Sequence, residues 1–228
     1  MTIAEKLDII KYKIADCATK AGRRAEDVLL LPVTKTKSVE EIMPALEYGI
    51  KAIGENYVQE LVEKYEVLRP YVDDFHMIGH LQSNKVKYIA DKVSLIHSVD
   101  SLSVLKEIQK QANKHNKIQE ILFEVNLTKE DSKFGVYEED LEALYLQAKE
   151  CPNVMVRGLM TMPPVHYDEP RLRRVFSRLR QIFENYQQQD SNFTTLSMGM
   201  SNDYEIAIQE GSNLVRIGSK IFGPRVYR

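Results

Sequence analysis

The sequence predicts an α/β fold, a single (β/α)8 barrel of the TIM type with an extra helix at its N-terminus. Three observations lead there. From residue 29 onward the chain repeats a short apolar run, a polar or glycine turn and a longer amphipathic segment, with eight apolar runs in all. Strands that alternate with helices pair in parallel through right-handed crossovers. The length of 228 residues falls slightly below the roughly 250 typical of such a barrel, which leaves little room for insertions or a second domain. A doubly wound sheet is the alternative for the same alternation, but it usually needs fewer strands.

The elements follow in order. Thr2-x-x-Glu5 has the form of a capping box, and Ile3, Leu7, Ile10, Ile14, Cys17 and Ala21 follow at helical spacing up to a stop at Gly22. The predicted strands are Leu29 to Lys35, Ala52 to Asn56, Phe75 to Gly79, Leu95 to Val99, Ile121 to Asn126, Val154 to Met162, Thr195 to Gly199 and Leu214 to Phe222. Helical patterns fill the gaps: Val39 to Tyr48, Tyr57 to Leu68, Ser83 to Asp91, Ser101 to His115, Glu138 to Lys149, Pro170 to Gln188, and Asp203 to Glu210. Ser38-x-x-Glu41 is a second capping box, yet Pro44 falls inside the helix it would start, so that helix is expected either to kink or to begin nearer Met43. Linkers, low-complexity segments and short repeats are absent, and residues 1–228 are expected to form one domain.

Composition narrows the function. Hydrophobic residues at 43% and charged residues at 28% fit a protein with a sizeable core, and a net charge of −2 gives no reason to expect nucleic acid or membrane as a partner. In Arg171 to Arg180 the arginines lie opposite a stripe of Leu172, Val175, Phe176, Leu179 and Phe183, the pattern of a packing helix with a charged outer face. Two cysteines without framework spacing, a charged N-terminus unlike a signal peptide and no membrane-length apolar run point to the cytoplasm. The five histidines lack ligand spacing, so no metal is expected, and His76 and His97 read as core or rim residues. No GxSxG, Walker A or GxGxxG sequence occurs.

The chemistry begins at the first strand. Leu29, Leu31, Val33 and Lys35 share one face of it, which aims a lysine toward an apolar interior. A lysine so placed is a candidate nucleophile for a Schiff base, although a strand-end lysine can also snorkel to solvent. Barrels of this kind often bind phosphate at the loops after strands seven and eight. Those loops here carry Gly199 and Ser201, then Gly218 and Ser219. A lysine amine facing a phosphate cradle suits pyridoxal 5′-phosphate (PLP). Arg216, on the face of Leu214 and Gly218, is a cation with donors only and would favour an unprotonated pyridine nitrogen, a poor state for stabilising carbanions.

Several motifs together, Val33–Lys37, Ile53–Glu60, His76–Lys85, Ser132–Gly135, Arg157–Met160, Ser197–Asp203 and Arg216–Gly223, resemble the YggS/PROSC family of pyridoxal phosphate homeostasis proteins. The resemblance runs in order over nearly the whole chain. It implies a barrel like the N-terminal domain of alanine racemase (fold-type III) without the second domain. It also implies a cofactor imine on Lys35, phosphate contacts from Ser201, Gly218 and Ser219, Arg216 near the pyridine nitrogen, and Asn56 in the pocket. Ile53, where the family more usually has an aromatic, and His80 at a variable position are small departures.

Lys37 and Lys133 are the rival amines, both expected in solvated positions at the barrel mouth. Three functions stay open. The first is a largely non-catalytic, monomeric PLP carrier that stores, buffers or delivers cofactor to PLP-dependent apoenzymes. The second is an amino-acid racemase, which needs a second acid/base, with Tyr57, Tyr204 or a rim histidine as candidates. The third is a lysine-imine aldolase for a phosphorylated sugar, with Glu55 as its proton carrier.

Overall fold

The computed structural model describes residues 1–128, 130, 133–164 and 166–224. Its strands are β1 (Leu29–Pro32), β2 (Ala52–Glu55), β3 (Asp74–Met77), β4 (Leu95–Val99), β5 (Gln119–Asn126), β6 (Val136–Tyr137), β7 (Val154–Met160), β8 (Thr195–Met200) and β9 (Leu214–Ile217). They pair in parallel in the order β1-β9-β8-β7-β5-β4-β3-β2, and the short β6 pairs with β5 off that path. Between β1 and β2 the ring closes on one bridge, Val33 to Gly54, where the Thr34 N–H donates to the Gly54 carbonyl at 3.0 Å. This is the eight-stranded barrel that the repeating pattern predicts.

Side-chain alternation divides the apolar residues into two populations. Outward residues such as Leu30, Ile53, Met77, Phe123 and Val215 form one continuous shell with the helices. Inward residues form two smaller groups, Leu31, Val33, Ile78 and Leu214 on one side and Leu95, Leu122 and Met160 on the other. The helices of the shell are α1 (Ile3–Lys20), α2 (Val39–Glu47), α3 (Val58–Leu68), α4 (Leu102–Lys114), α5 (Glu138–Lys149), α6 (Glu169–Gln187), α7 (Tyr204–Gln209) and α8 (Ser219–Phe222). Helix α6 buries Leu172, Val175, Phe176, Leu179 and Phe183, while Arg173 and Arg180 pair with Glu169, Glu210 and Glu184 on the outside. Helix α1 packs on the two short helices that end the barrel. Lys6 Nζ donates to the Ile221 carbonyl at 3.1 Å, and Lys13 pairs with Glu205 at 3.1 Å.

Both capping boxes form, and Gly22 follows α1 with φ +70°. The box at Ser38 starts α2 at Val39, so the helix runs through Pro44 rather than beginning late. Three other expectations are corrected. The first strand stops at Pro32, because Thr34 to Lys37 already form a turn closed by the Lys37 N–H on the Thr34 carbonyl at 3.1 Å. The second half of the eighth run, Ser219–Phe222, is helix, with the Ile221 and Phe222 N–H groups both on the Gly218 carbonyl. Ser83–Tyr88 is a 3-10 helix, which suits buried Val86 and Ile89 three residues apart. Phe176 is fully buried in the shell, so Phe176→Ala is expected to cost about 3–5 kcal/mol. The check is a lower urea midpoint at an unchanged m-value.

Candidate functional site

The six residues singled out in the sequence, Lys35, Asn56, Ser201, Arg216, Gly218 and Ser219, all line one cavity of about 300 Å³, within the range of small-ligand sites. Its walls come from the C-terminal ends of the strands, with Val33, Ile78, Met162 and Phe222 supplying apolar surface.

Lys35 enters from the turn after β1. It is half-buried rather than enclosed in the apolar interior, and its Nζ donates to Asn56 Oδ1 at 3.2 Å. The next residue, Thr36, holds φ +62°, a conformation that a β-branched side chain disfavours. An ionic cluster outside the barrel wall fixes it there. The Thr36 N–H donates to Glu60 Oε2 at 2.7 Å. Lys64 Nζ binds that same oxygen at 2.7 Å, Glu55 Oε1 at 2.8 Å and the Thr34 carbonyl at 3.0 Å. Thr34 Oγ1 donates to Glu55 Oε1 at 2.6 Å. Burial pushes the Glu55 carboxyl pKa up, with Lys64 opposing. Glu55 is therefore bound between β2 and α3 and is not among the residues lining the cavity.

At the other loops, Ser201 Oγ accepts the Gly218 N–H at 3.3 Å and so ties the two predicted phosphate loops together. A Cβ on Gly218 would sit 3.2 Å from the Val33 carbonyl oxygen, and one on Gly199, at φ +92°, would sit 2.5 Å from Ala207 Cβ. Position 199 therefore needs glycine, and position 218 leaves only a tight space for a side chain. Asp203 also lines the cavity, with Oδ1 accepting the Met200 N–H.

Arg216 is buried on β9. Nη1 donates to the Ser197 carbonyl at 3.0 Å and to Ser197 Oγ, and Nη2 donates to the Thr161 carbonyl at 3.0 Å. Burial lowers its pKa to about 10, while Glu124 and Asp203 oppose the shift, so it stays cationic near neutral pH. Glu124 on β5 faces the opposite pressure. Burial and Asp100 raise its pKa to about 7, and its Oε2 has no hydrogen-bond partner among the described residues.

Two expectations about rival lysines are corrected. Lys37 is buried, lines the cavity and pairs with Glu41 at 3.2 Å. Lys133 is half-buried and donates to the Met162 carbonyl at 3.1 Å. Ser132, in the motif around it, lies outside the described residues. The sequence reading also missed Glu60, Lys64, Thr161, Ser197 and Glu124. Alternation offered a signal for Ser197, which lies between the outward Leu196 and Met198, and for Glu124, two residues from the inward Leu122. The contacts of Glu60 and Lys64 with the turn have no sequence signal.

The model of the alanine racemase N-terminal domain family matches residues 6–226. A pyridoxal phosphate homeostasis protein of Aquifex aeolicus is 42% identical over 100% of both chains. That of Escherichia coli strain K12 is 36% identical over 99% of this chain and 97% of its own. This chain belongs to that family. Among solved structures, PipY of Synechococcus elongatus with PLP bound matches at TM-score 0.84 and 30% identity, over 97% of this chain and 100% of that one. Alanine racemase of Corynebacterium glutamicum, at 14% identity and TM-score 0.71 over 97% of this chain and 62% of that chain, shares the fold.

The raised pKa of Glu124 makes a stability prediction. Its folded-state pKa lies above the unfolded value, so the neutral carboxyl stabilises the fold fully below about pH 4.5, and that contribution fades as pH rises through about 7. The change is on the order of 3 kcal/mol. Urea unfolding between about pH 5 and 8 is expected to show this decline in the wild type and its loss in Glu124→Gln.

Proposed function

We propose that this chain binds PLP as a Schiff base on Lys35 and serves intracellular PLP homeostasis by storing, buffering or delivering the cofactor, with little or no catalysis. The observation that carries the reading is the shared cavity: one wall offers the Lys35 amine, another the Ser201, Gly218 and Ser219 loops, and Arg216 lies in the same lining. When bound, PLP supplies an aldehyde that condenses with an amine and a ring that can withdraw electrons. Asn56 orients the Lys35 amine through its Oδ1. Ser201, Ser219 and the Gly218 backbone suit a phosphate in hydrogen-bonding capacity. Arg216 offers the pyridine nitrogen hydrogen-bond donors but no carboxylate, which weakens the ring as an electron sink. A PLP-bound relative of the same fold, matched over 97% of this chain and 100% of its own, supports the assignment. The two free cysteines suit a reducing, cytoplasmic setting, and no helix of the described residues is long and apolar enough to cross a membrane. PLP-dependent apoenzymes are the recipients we infer.

The racemase alternative needs a proton carrier opposite Lys35. None of Tyr57, Tyr204 and the histidines lines the cavity. Of the acids and amines that do, Lys37 is held by Glu41 and Asp203 by the Met200 N–H. The aldolase reading loses its carboxylate, because Glu55 is engaged by Lys64 and Thr34.

Borohydride reduction of the PLP-loaded protein followed by peptide mass spectrometry is expected to place a pyridoxyl group on Lys35. Lys35→Ala is expected to fold and to carry none. A modified Lys37 or Lys133 in that variant would move the assignment, and failure of the wild type to take up PLP would overturn it.

A further inference from the structure

The barrel interior holds a polar chain that the proposed function leaves unused. His76 on β3, His97 on β4 and Ser197 on β8 are all buried, and they meet Arg216 in sequence. His76 Nδ1 lies 3.0 Å from His97 Nε2, and His97 Nδ1 lies 3.0 Å from Ser197 Oγ. Ser197 Oγ accepts from Arg216 Nη1.

The direction of every bond in this chain follows from its arginine end. A guanidinium only donates, so Ser197 Oγ must accept from it. The serine hydroxyl has one proton, and His97 Nδ1 is the acceptor in reach among the described residues. A neutral imidazole that accepts at one nitrogen donates at the other. His97 therefore carries its proton on Nε2 and gives it to His76 Nδ1, which leaves the His76 proton on Nε2. The reverse order would make Ser197 Oγ accept twice and leave its hydroxyl proton with no partner, a costly state in a buried site. Burial keeps both rings neutral, as the relay requires, since it lowers the His76 pKa to about 4 and that of His97 well below its usual value.

We propose that Ser197 and His97 are positioning residues, which aim the Arg216 guanidinium at the ligand in the cavity through a relay of fixed direction that ends on His76. Three bonds to Ser197 and Thr161 fix Arg216 against β8 and the end of β7. A guanidinium has five donors, so two are left for the cavity that it lines. By donating to His97, the Ser197 hydroxyl becomes a better acceptor for Arg216. Without that partner the hydroxyl can rotate, and the arginine loses a fixed aim. The role rests on the reading of the cavity as a PLP site, but the relay itself exists without ligand.

Two experiments separate these. In ligand-free protein, long-range 15N–1H correlation spectra of the histidine rings are expected to show His97 and His76 protonated on Nε2. A proton on His97 Nδ1, or a doubly protonated ring at neutral pH, would overturn the relay whatever the cavity binds. In PLP-loaded protein, His97→Leu removes the acceptor at similar size, whereas His97→Asn puts an oxygen near the place of Nδ1. The leucine variant is expected to keep a pyridoxyl group on Lys35 after reduction, to shift the visible absorption band, and to release PLP roughly five- to tenfold faster, the equivalent of one hydrogen bond. The asparagine variant is expected to restore band and rate. Ser197→Ala, a smaller change, is expected to match His97→Leu and serves if the leucine variant does not fold. A wild-type band and release rate in Ser197→Ala or His97→Leu would overturn the proposal. So would an asparagine variant as impaired as the leucine one. Failure of the wild type to load would strike the PLP reading and leave the histidine spectra to decide the relay.

Discussion

A guanidinium buried inside the barrel is the constraint on which the rest of this structure depends. Arg216 is nearly inaccessible to solvent, and an unpaired cation there would be prohibitively costly. Three of its donors are met by the carbonyls of Ser197 and Thr161 and by the Ser197 hydroxyl, so the ends of β7, β8 and β9 must hold their register to within a fraction of a residue. The demand spreads inward. The space that a simpler barrel fills with branched apolar side chains is here shared with His76, His97, Ser197 and Glu124, and the apolar interior splits into two groups.

The same economy explains how the amine is held. Lys35 leaves the barrel on a turn that forces Thr36 into a left-handed conformation, and the strain is borne outside the wall by Lys64, Glu55 and Glu60. The carboxylates of Glu55 and Glu60 are thus spent on structure. What lines the cavity is Lys35, Lys37, Arg216, Asp203, two asparagines and the hydroxyls of the serine loops, with Lys37 held by Glu41 and Asp203 by the Met200 N–H, a set suited to gripping an anionic aldehyde.

Much of this was legible in the residues. Eight apolar runs gave the barrel because a (β/α)8 repeat needs each run buried on both faces, and the glycines at 199 and 218 marked close approaches that the geometry requires. The two capping boxes set the starts of α1 and α2, and at α2 the cap outweighed the proline. What alternation could not tell was where a strand yields to a turn. Val33 continues the inward pattern of β1 and still bridges Gly54, yet from Thr34 onward the chain is in a turn before it reaches Lys35. The burial of Lys37 was equally hidden, since it depends on Glu41 one helical turn away. The histidine relay was invisible because its members come from strands far apart in sequence, each reading alone as an ordinary core residue.

The central claim is that Arg216 serves PLP as a donor-only partner for its pyridine nitrogen. The 15N chemical shift of ring-labelled PLP bound to the protein tests this most directly. An unprotonated pyridine shift throughout the neutral range, displaced only in an Arg216→Glu variant, is the result this account expects. A pyridinium shift in the wild type would mean that another group supplies the proton, and the account of the site as a holder rather than a catalyst would be contradicted.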